Sequence, residues 1–245
     1  MFDPEGPTFL ELARQALSSV EEGYDLLAPK FDRTPYRTPE EILGPALAEA
    51  GGPESVDDAM DLCCGTGAAL WHLRALCRRE CVGVDLSAGM LRVAESALRD
   101  APGSAAVRLV RADALDLPFA SRFDLITSFG AFGHILEADE PRLVRSIARA
   151  LRPGGRFVFV TAGEPPPFAL STLYARAFNA AIRLRNAVWH PPFVMYYLTF
   201  LLPRAVALLE AEGFEVRVRS GVFPPPLQRL SVVIAQKSSA RGDAA

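Results

Sequence analysis

The stretch Asp57-Asp58-Ala59-Met60-Asp61-Leu62-Cys63-Cys64-Gly65-Thr66-Gly67 decides how this chain is read. A short apolar run ends on an acidic residue, Asp61, and two glycines then flank a turn. Glycine accepts positive φ and carries no Cβ, so a backbone built on Gly65 and Gly67 can approach a ligand closely. A helix starting near Ala68 would aim its unpaired N–H groups at that ligand. Asp61 selects among ligands: its carboxylate repels a pyrophosphate and holds an ammonium group.

The chain has 245 residues, half of them apolar, and a net charge of −3. That length accommodates one large α/β domain with a full core, or one domain with a modest insertion. Mild acidity counts against electrostatically driven nucleic-acid binding, though not against a local basic patch. The opening Met-Phe-Asp-Pro-Glu-Gly-Pro lacks the basic start and apolar core of a signal peptide. No stretch reaches the roughly 18 uninterrupted apolar residues of a spanning helix, so no membrane span is expected. The four cysteines are Cys63, Cys64, Cys77 and Cys81. Adjacent Cys63 and Cys64 make a poor disulfide, and Cys77 and Cys81 lack the second ligand pair of a metal site. His72, His134 and His190 are scattered. The expectation is no metal, reduced thiols and a cytoplasmic location.

From about residue 56 to 162, apolar runs alternate with helical patterns. Strands are expected at Val56–Leu62, Cys81–Leu86, Val107–Ala112, Phe123–Ser128 and Arg156–Ala162. Helices are expected at Ala68–Arg79, Ala88–Arg99 and Glu140–Leu151, the last stopped by Pro153-Gly154-Gly155. This alternation predicts a doubly wound, mostly parallel sheet with its ligand site at the carboxyl ends of the strands. Later, Arg204–Glu212 reads as a helix, and Phe214–Val222 with Leu230–Gln236 as an antiparallel hairpin, giving seven strands. The expected division is an N-terminal helical cap (1–52), a ligand-binding core (53–163), a helical and aromatic insertion acting as a lid (164–202), the C-terminal part of the core (203–237) and a disordered tail (238–245). The cap carries a helical pattern from Phe9 to Val20 and a helix over Glu40–Ala50. In the insertion, Leu170, Leu173, Tyr174, Ala177, Phe178, Ala181 and Ile182 recur at helical spacing, with Arg176, Asn179 and Arg183 elsewhere.

Four motifs, in register with the expected strands, resemble the class I S-adenosylmethionine-dependent methyltransferases of Rossmann-like fold over roughly residues 55–236. Asp61-Leu62-Cys63-Cys64-Gly65-Thr66-Gly67 is similar to the first motif, with Cys63 where a glycine is common; an ordinary L-residue conformation is therefore expected at Cys63. Val82-Gly83-Val84-Asp85-Leu86-Ser87 resembles the second, Arg111-Ala112-Asp113-Ala114 the third, and Leu151-Arg152-Pro153-Gly154-Gly155 the turn before the fifth strand. The resemblance implies S-adenosyl-L-methionine as cofactor, with S-adenosyl-L-homocysteine (SAH) as product. Asp61 then sits near the methionine ammonium, directly or through water, and Gly65 and Gly67 pass along the methionyl portion. Asp85 offers two oxygens to the ribose hydroxyls, while Leu86 and Met90 pack on the adenine. Asp113 accepts from the adenine amino group and the Ala114 N–H meets a ring nitrogen, unless Asp113 caps the short helix after it. The backbone around Ser128 and Phe129 completes the methionine end.

Methyl transfer from a sulfonium is an in-line displacement, in which alignment and exclusion of water supply much of the acceleration. His134 is the candidate base, suited to proton transfer near neutral pH; alternatively it begins the next helix and only shapes the pocket. Tyr24, Phe129, Phe132, Tyr174, Phe178, Trp189, His190, Tyr196 and Tyr197 are the candidate acceptor wall, and their aromatic density suggests a small, fairly apolar acceptor methylated on O, N or C. The alternatives are a nucleic-acid or protein methyltransferase and a catalytically silent cofactor-binding protein. No Asn/Asp-Pro-Pro-aromatic motif follows the fourth strand. A nicotinamide dehydrogenase is disfavoured, because Leu70 holds the third glycine position and Asp61 opposes a pyrophosphate. The chain is expected as a monomer or homodimer, with no nucleic-acid partner.

Overall fold

The computed structural model describes residues 5–239. Residues 1–4 of the cap and 240–245 of the expected tail lie outside the described residues. The elements run α1 (Phe9–Leu17), α2 (Val20–Leu27), α3 (Glu40–Ala50), β1 (Val56–Leu62), α4 (Ala68–Leu76), β2 (Cys77–Asp85), α5 (Ala88–Ala97), β3 (Ala106–Arg111), β4 (Phe123–Ser128), α6 (Glu140–Ala150), β5 (Leu151–Ala162), α7 (Leu170–Val188), α8 (Leu202–Ala211), β6 (Phe214–Ser220) and β7 (Leu230–Lys237). The seven strands form one sheet in the order β3-β2-β1-β4-β5-β7-β6. The first five are parallel, and β7 pairs antiparallel with both β5 and β6. The chain reverses direction across the sheet between β1 and β4, which sets the ligand crevice outside their carboxyl ends.

Alternation along each strand builds two cores. Met60, Leu62, Ile126, Phe157 and Phe159 pack toward α6 and α8. Ala59, Leu125 and Val158 pack on the other face with residues of α3, α4 and α5. Strands buried on both faces read as continuous apolar runs, which is why the sequence pattern finds them.

Several boundaries move. Helix α4 ends at Leu76 rather than Arg79, because Cys77 turns extended and pairs in register with Val56. The three residues assigned to the helix start β2 instead. The pattern from Phe9 to Val20 is two helices, not one, since the Ser19 side chain caps a fresh start by accepting from Glu22 N–H. β5 begins at Leu151, which pairs with Phe123; Arg152–Gly155 form an irregularity before pairing resumes at Arg156. β6 stops at Ser220, two residues short of the expected end.

Cys63 contradicts expectation. It stands at φ +57°, in the left-handed region, alongside Gly65 at +53° and Gly67 at +88°. The family's usual glycine position keeps the glycine conformation even when cysteine fills it, at a cost of about 1–2 kcal/mol.

Candidate active site

Strand β1 carries two buried aspartates with opposite fates. Asp58, 1% exposed, is neutralised by Arg79, Arg122 and Arg152. Asp61, 3% exposed, has no cationic partner among the described residues; Thr127 donates a hydroxyl hydrogen bond of 2.8 Å to one of its oxygens. Burial, reinforced by the nearby Asp85, pushes the Asp61 carboxyl up to about 7. An uncompensated buried carboxyl at the carboxyl end of a strand is a place for a ligand's cation.

Asp85 ends β2 and fixes the glycine turn. One oxygen accepts from Gly65 N–H and the other from Ser87 N–H, both at 2.9 Å. Burial also raises the Asp85 carboxyl, against the opposing pull of those two N–H groups. Gly67 is the N-cap of α4, so the turn delivers the chain into a helix aimed at the crevice. A Cβ at Gly67 would sit 3.2 Å from Leu98 and 3.3 Å from Ala94, so the turn also needs glycine for its close approach to α5. Asp113 does cap the turn after it, accepting from Leu115 N–H at 2.9 Å, and it lines the pocket as well.

Asp61, Asp85 and Asp113 line one cavity of about 790 Å³, and Cys63, Gly65, Leu86, Met90, Ala114 and Phe129 are also on its wall. Gly67, expected along the methionyl portion, is not, and borders a smaller pocket with Trp71 and His72 instead. Ser128 is behind the larger cavity: its hydroxyl donates to Leu62 O and ties β4 to β1. The cavity continues past Asp61 into a chamber bounded by Tyr24, Phe31, Tyr36, Phe132, His134 and the segment 194–199.

The cap closes over this crevice through polar contacts that sequence reasoning missed. Asp25 on α2 accepts from Ser87 Oγ at 2.5 Å and Gly89 N–H at 2.7 Å, capping α5 from another element. A Cβ at Gly89 would stand 2.9 Å from Asp25 Cα, so that glycine permits the docking. Thr66 donates to Asp32 at 2.6 Å. Asp25 and Asp32 look in sequence like ordinary helix and turn acids; only the fold supplies their partners.

His134 neither begins nor caps α6. It lies in a one-turn 3-10 segment, Phe132–His134. Its Nδ1 is 2.7 Å from Val194 O, and a carbonyl only accepts, so Nδ1 carries the proton. Nε2 is therefore the lone-pair nitrogen, and Tyr24 Oη donates to it across 2.7 Å. Burial lowers the His134 pKa, so the imidazole is held neutral. Burial foremost, with Asp85 nearby, raises the Tyr24 phenol, which keeps its proton.

The acceptor wall is partly as expected. Tyr24, Phe129, Phe132, Tyr196 and Tyr197 line the cavity. Tyr174 and Trp189 do not: they are 66% and 52% exposed on the outside of α7 and at its end. His190 is exposed too. Phe178 stands behind the wall, its ring 5.0 Å from that of Tyr197. Asn179 explains the arrangement, since its amide pairs with both the N–H and the C=O of Tyr197. Asn186 does the same for Phe193. The inner face of α7 is polar because it holds the backbone of the wall. Among the described residues, no group of three His, Cys, Asp or Glu is placed to hold a metal, and the four cysteines are unpaired.

A doubly wound sheet with acids at the tips of β1 and β2 around a glycine turn defines a nucleoside-binding domain of Rossmann-like class. Residues 59–155 match the model of a methyltransferase domain. A demethylmenaquinone methyltransferase from Thermus thermophilus is 35% identical over 167 residues, which are 64% of this chain and 74% of that protein. The ubiquinone/menaquinone biosynthesis C-methyltransferase UbiE of Idiomarina loihiensis is 36% identical over 166 residues, 64% of this chain; the match spans 65% of that protein, just under two thirds. Among solved structures, a DhpI–SAH complex superposes with a TM-score of 0.65 at 18% identity, covering 95% of this chain and 100% of that one. The chain belongs to the class I S-adenosylmethionine-dependent methyltransferases, which take S-adenosyl-L-methionine as methyl donor.

Proposed function

We propose that the protein methylates a small, fairly apolar acceptor, a hydroxylated aromatic or quinone-type ring, in the chamber between Tyr24, His134 and segment 194–199. The observation that carries this reading is the continuity of one cavity from the uncompensated Asp61 to the neutral Tyr24–His134 pair. The Thermus and Idiomarina relatives, whose names specify quinone-biosynthetic methylation, support a ring acceptor.

Bound S-adenosylmethionine supplies a methyl group already activated on a sulfonium. Asp61 would take the ammonium, Asp85 the ribose, and Leu86 and Met90 the adenine, with Asp113 and Ala114 at its edge. Aromatic walls exclude water and set the acceptor in line. Where the acceptor carries an acidic O–H, that proton passes to Tyr24 Oη as Tyr24 gives its own to His134 Nε2. The product of this relay is an imidazolium and an intact phenol, and the acceptor gains the electron density it needs at O or at a ring carbon.

The same reading takes residues 1–52 as a cap, 53–163 as the cofactor core, 164–202 as a lid and 203–237 as the rest of the core. A cytoplasmic location is part of it, supported by the unpaired cysteines.

The test is release of SAH in the presence of short-chain hydroquinones and phenols, against peptides and oligonucleotides. Turnover is expected only with the ring compounds. Turnover confined to peptide or oligonucleotide would overturn the reading.

A further inference from the structure

Helix α7 is built inside out. Successive residues turn by about 100°, and that rotation puts Thr172, Ala175, Asn179 and Asn186 on the inner face. Of these, Thr172, Ala175 and Asn179 are buried. The opposite face is apolar and open: Leu170, Tyr174, Leu184 and Val188 are 86%, 66%, 68% and 76% exposed. Arg176 and Arg183 flank this band on one side and Arg185 on the other. Arg176 and Arg183 are exposed, the first reaching Pro167 O and the second lying over the Tyr196 ring, whereas Arg185 turns inward, donating to Pro191 O and to Ser18 O of the cap with its Nε buried. Among the described residues none of the three is in an ion pair. The segment from 165 to 209 contains four arginines and no Asp or Glu, in a chain whose net charge is −3.

We propose that the outer face of α7 docks on an anionic lipid surface, lying in the plane of the interface. An apolar band edged by arginines matches what such a surface offers: acyl chains below and phosphate above. Trp189, half exposed at the end of the helix, is a residue type that favours the headgroup level. Spanning is not involved, since no helix of the described residues is long and apolar enough to cross a membrane. A second copy is a poor occupant. A two-fold interface would set the same unpaired arginines against each other. The inner asparagines of α7 hold Phe193, next to the chamber wall, and Tyr197 within it, so docking would set the wall of the cavity beside the bilayer. The proposal is independent of which acceptor is used.

Vesicle flotation of the full chain tests it, with phosphatidylcholine vesicles either alone or mixed with phosphatidylglycerol. Partition into the mixed vesicles is expected, with a marked loss in high salt and in phosphatidylcholine alone. The double variant Leu184→Glu/Val188→Glu should partition at least about tenfold less. Calorimetry with S-adenosylmethionine on the same variant should give unchanged affinity, showing an intact fold. Absence of wild-type partition, or partition undiminished by the double variant, overturns the proposal. So does a wild-type dimer in sedimentation velocity that the double variant converts to monomer without any vesicle binding.

Discussion

Lowering the pH from 8 to 6 should weaken S-adenosylmethionine binding roughly fourfold: protonation of Asp61 costs about tenfold, and the donor's own amino group offsets about two- to threefold of that. In the free protein this carboxyl ionises near 7, because it is buried with only a threonine hydroxyl for company. The ammonium of the donor needs the carboxylate, so binding must expel whatever proton is there. One pH unit below 7 about nine molecules in ten are protonated and one unit above about one in ten, which sets a tenfold loss from Asp61. The donor's own amino group, with an ordinary pKa of about 7.7–8.0, is about a third to a half charged at pH 8 and fully charged at pH 6, which works against that loss. Calorimetry in two buffers of different ionisation enthalpy would read the release of close to one proton at pH 6. In Asp61→Asn the loss on acidification should vanish: affinity should be lower throughout and rise about two- to threefold from pH 8 to 6 with the donor's amino group, and any loss at lower pH belongs to Asp85, whose carboxyl is also raised. A second readout has its own sign. The folded pKa is raised from 3.8 to about 7, so the penalty on the free protein is absent below the lower value and complete above the higher, on the order of 4 kcal/mol. Asp61→Asn keeps an acceptor for Thr127 and should therefore make the free protein more stable at pH 8, with the gain vanishing near pH 4. A wild-type affinity that does not fall toward pH 6, or a fall that survives in Asp61→Asn, would refute the assignment.

Other outcomes follow from the same geometry. Asp85→Ala should weaken S-adenosylmethionine binding at least about tenfold, a loss of about 1.4 kcal/mol or more; unchanged affinity in calorimetry removes it as the ribose ligand. Cys63→Gly should be more stable than Cys63→Ala by about 1 kcal/mol, or roughly 2–4 °C in melting temperature. Alanine normally outranks glycine, so the usual order here would mean the loop is not left-handed at that position. Tyr24→Phe and His134→Ala should each lower kcat, by about 10²-fold for the histidine, with the affinity for the donor intact. Near wild-type turnover of the true acceptor across pH by both variants would leave the pair a purely structural role.

Much of the core was legible because strands buried on both faces and acid-tipped turns leave strong local signals. β1 and β4 fall at their expected bounds, and Asp61, Asp85 and Asp113 all reach one cavity. What failed was information held by partners distant in sequence. Tyr24 and His134 are 110 residues apart, and nothing local in either marks the other. The apolar stripe of α7 suggested a chamber lining because buried faces are usually apolar. Here two asparagines claim the inner face to hold extended backbone, and the stripe turns outward. Cys63 misled for a different reason: residue type sets only a preference for φ, and the bonds that the Gly65 and Ser87 N–H groups donate to Asp85 hold the loop in a conformation that a free cysteine would avoid.

The position of β7 has a consequence for how the molecule is made. It follows β6 in the chain yet lies between β5 and β6 in the sheet, pairing Arg156–Ala162 on one side and Phe214–Ser220 on the other. On the ribosome, β6 therefore emerges with no neighbour to join, and β5 keeps an open edge until Leu230–Lys237 arrives. An open strand edge is a template for other chains. The interval between synthesis of β5 and of β7 is when a nascent chain of this topology is most exposed to misassembly.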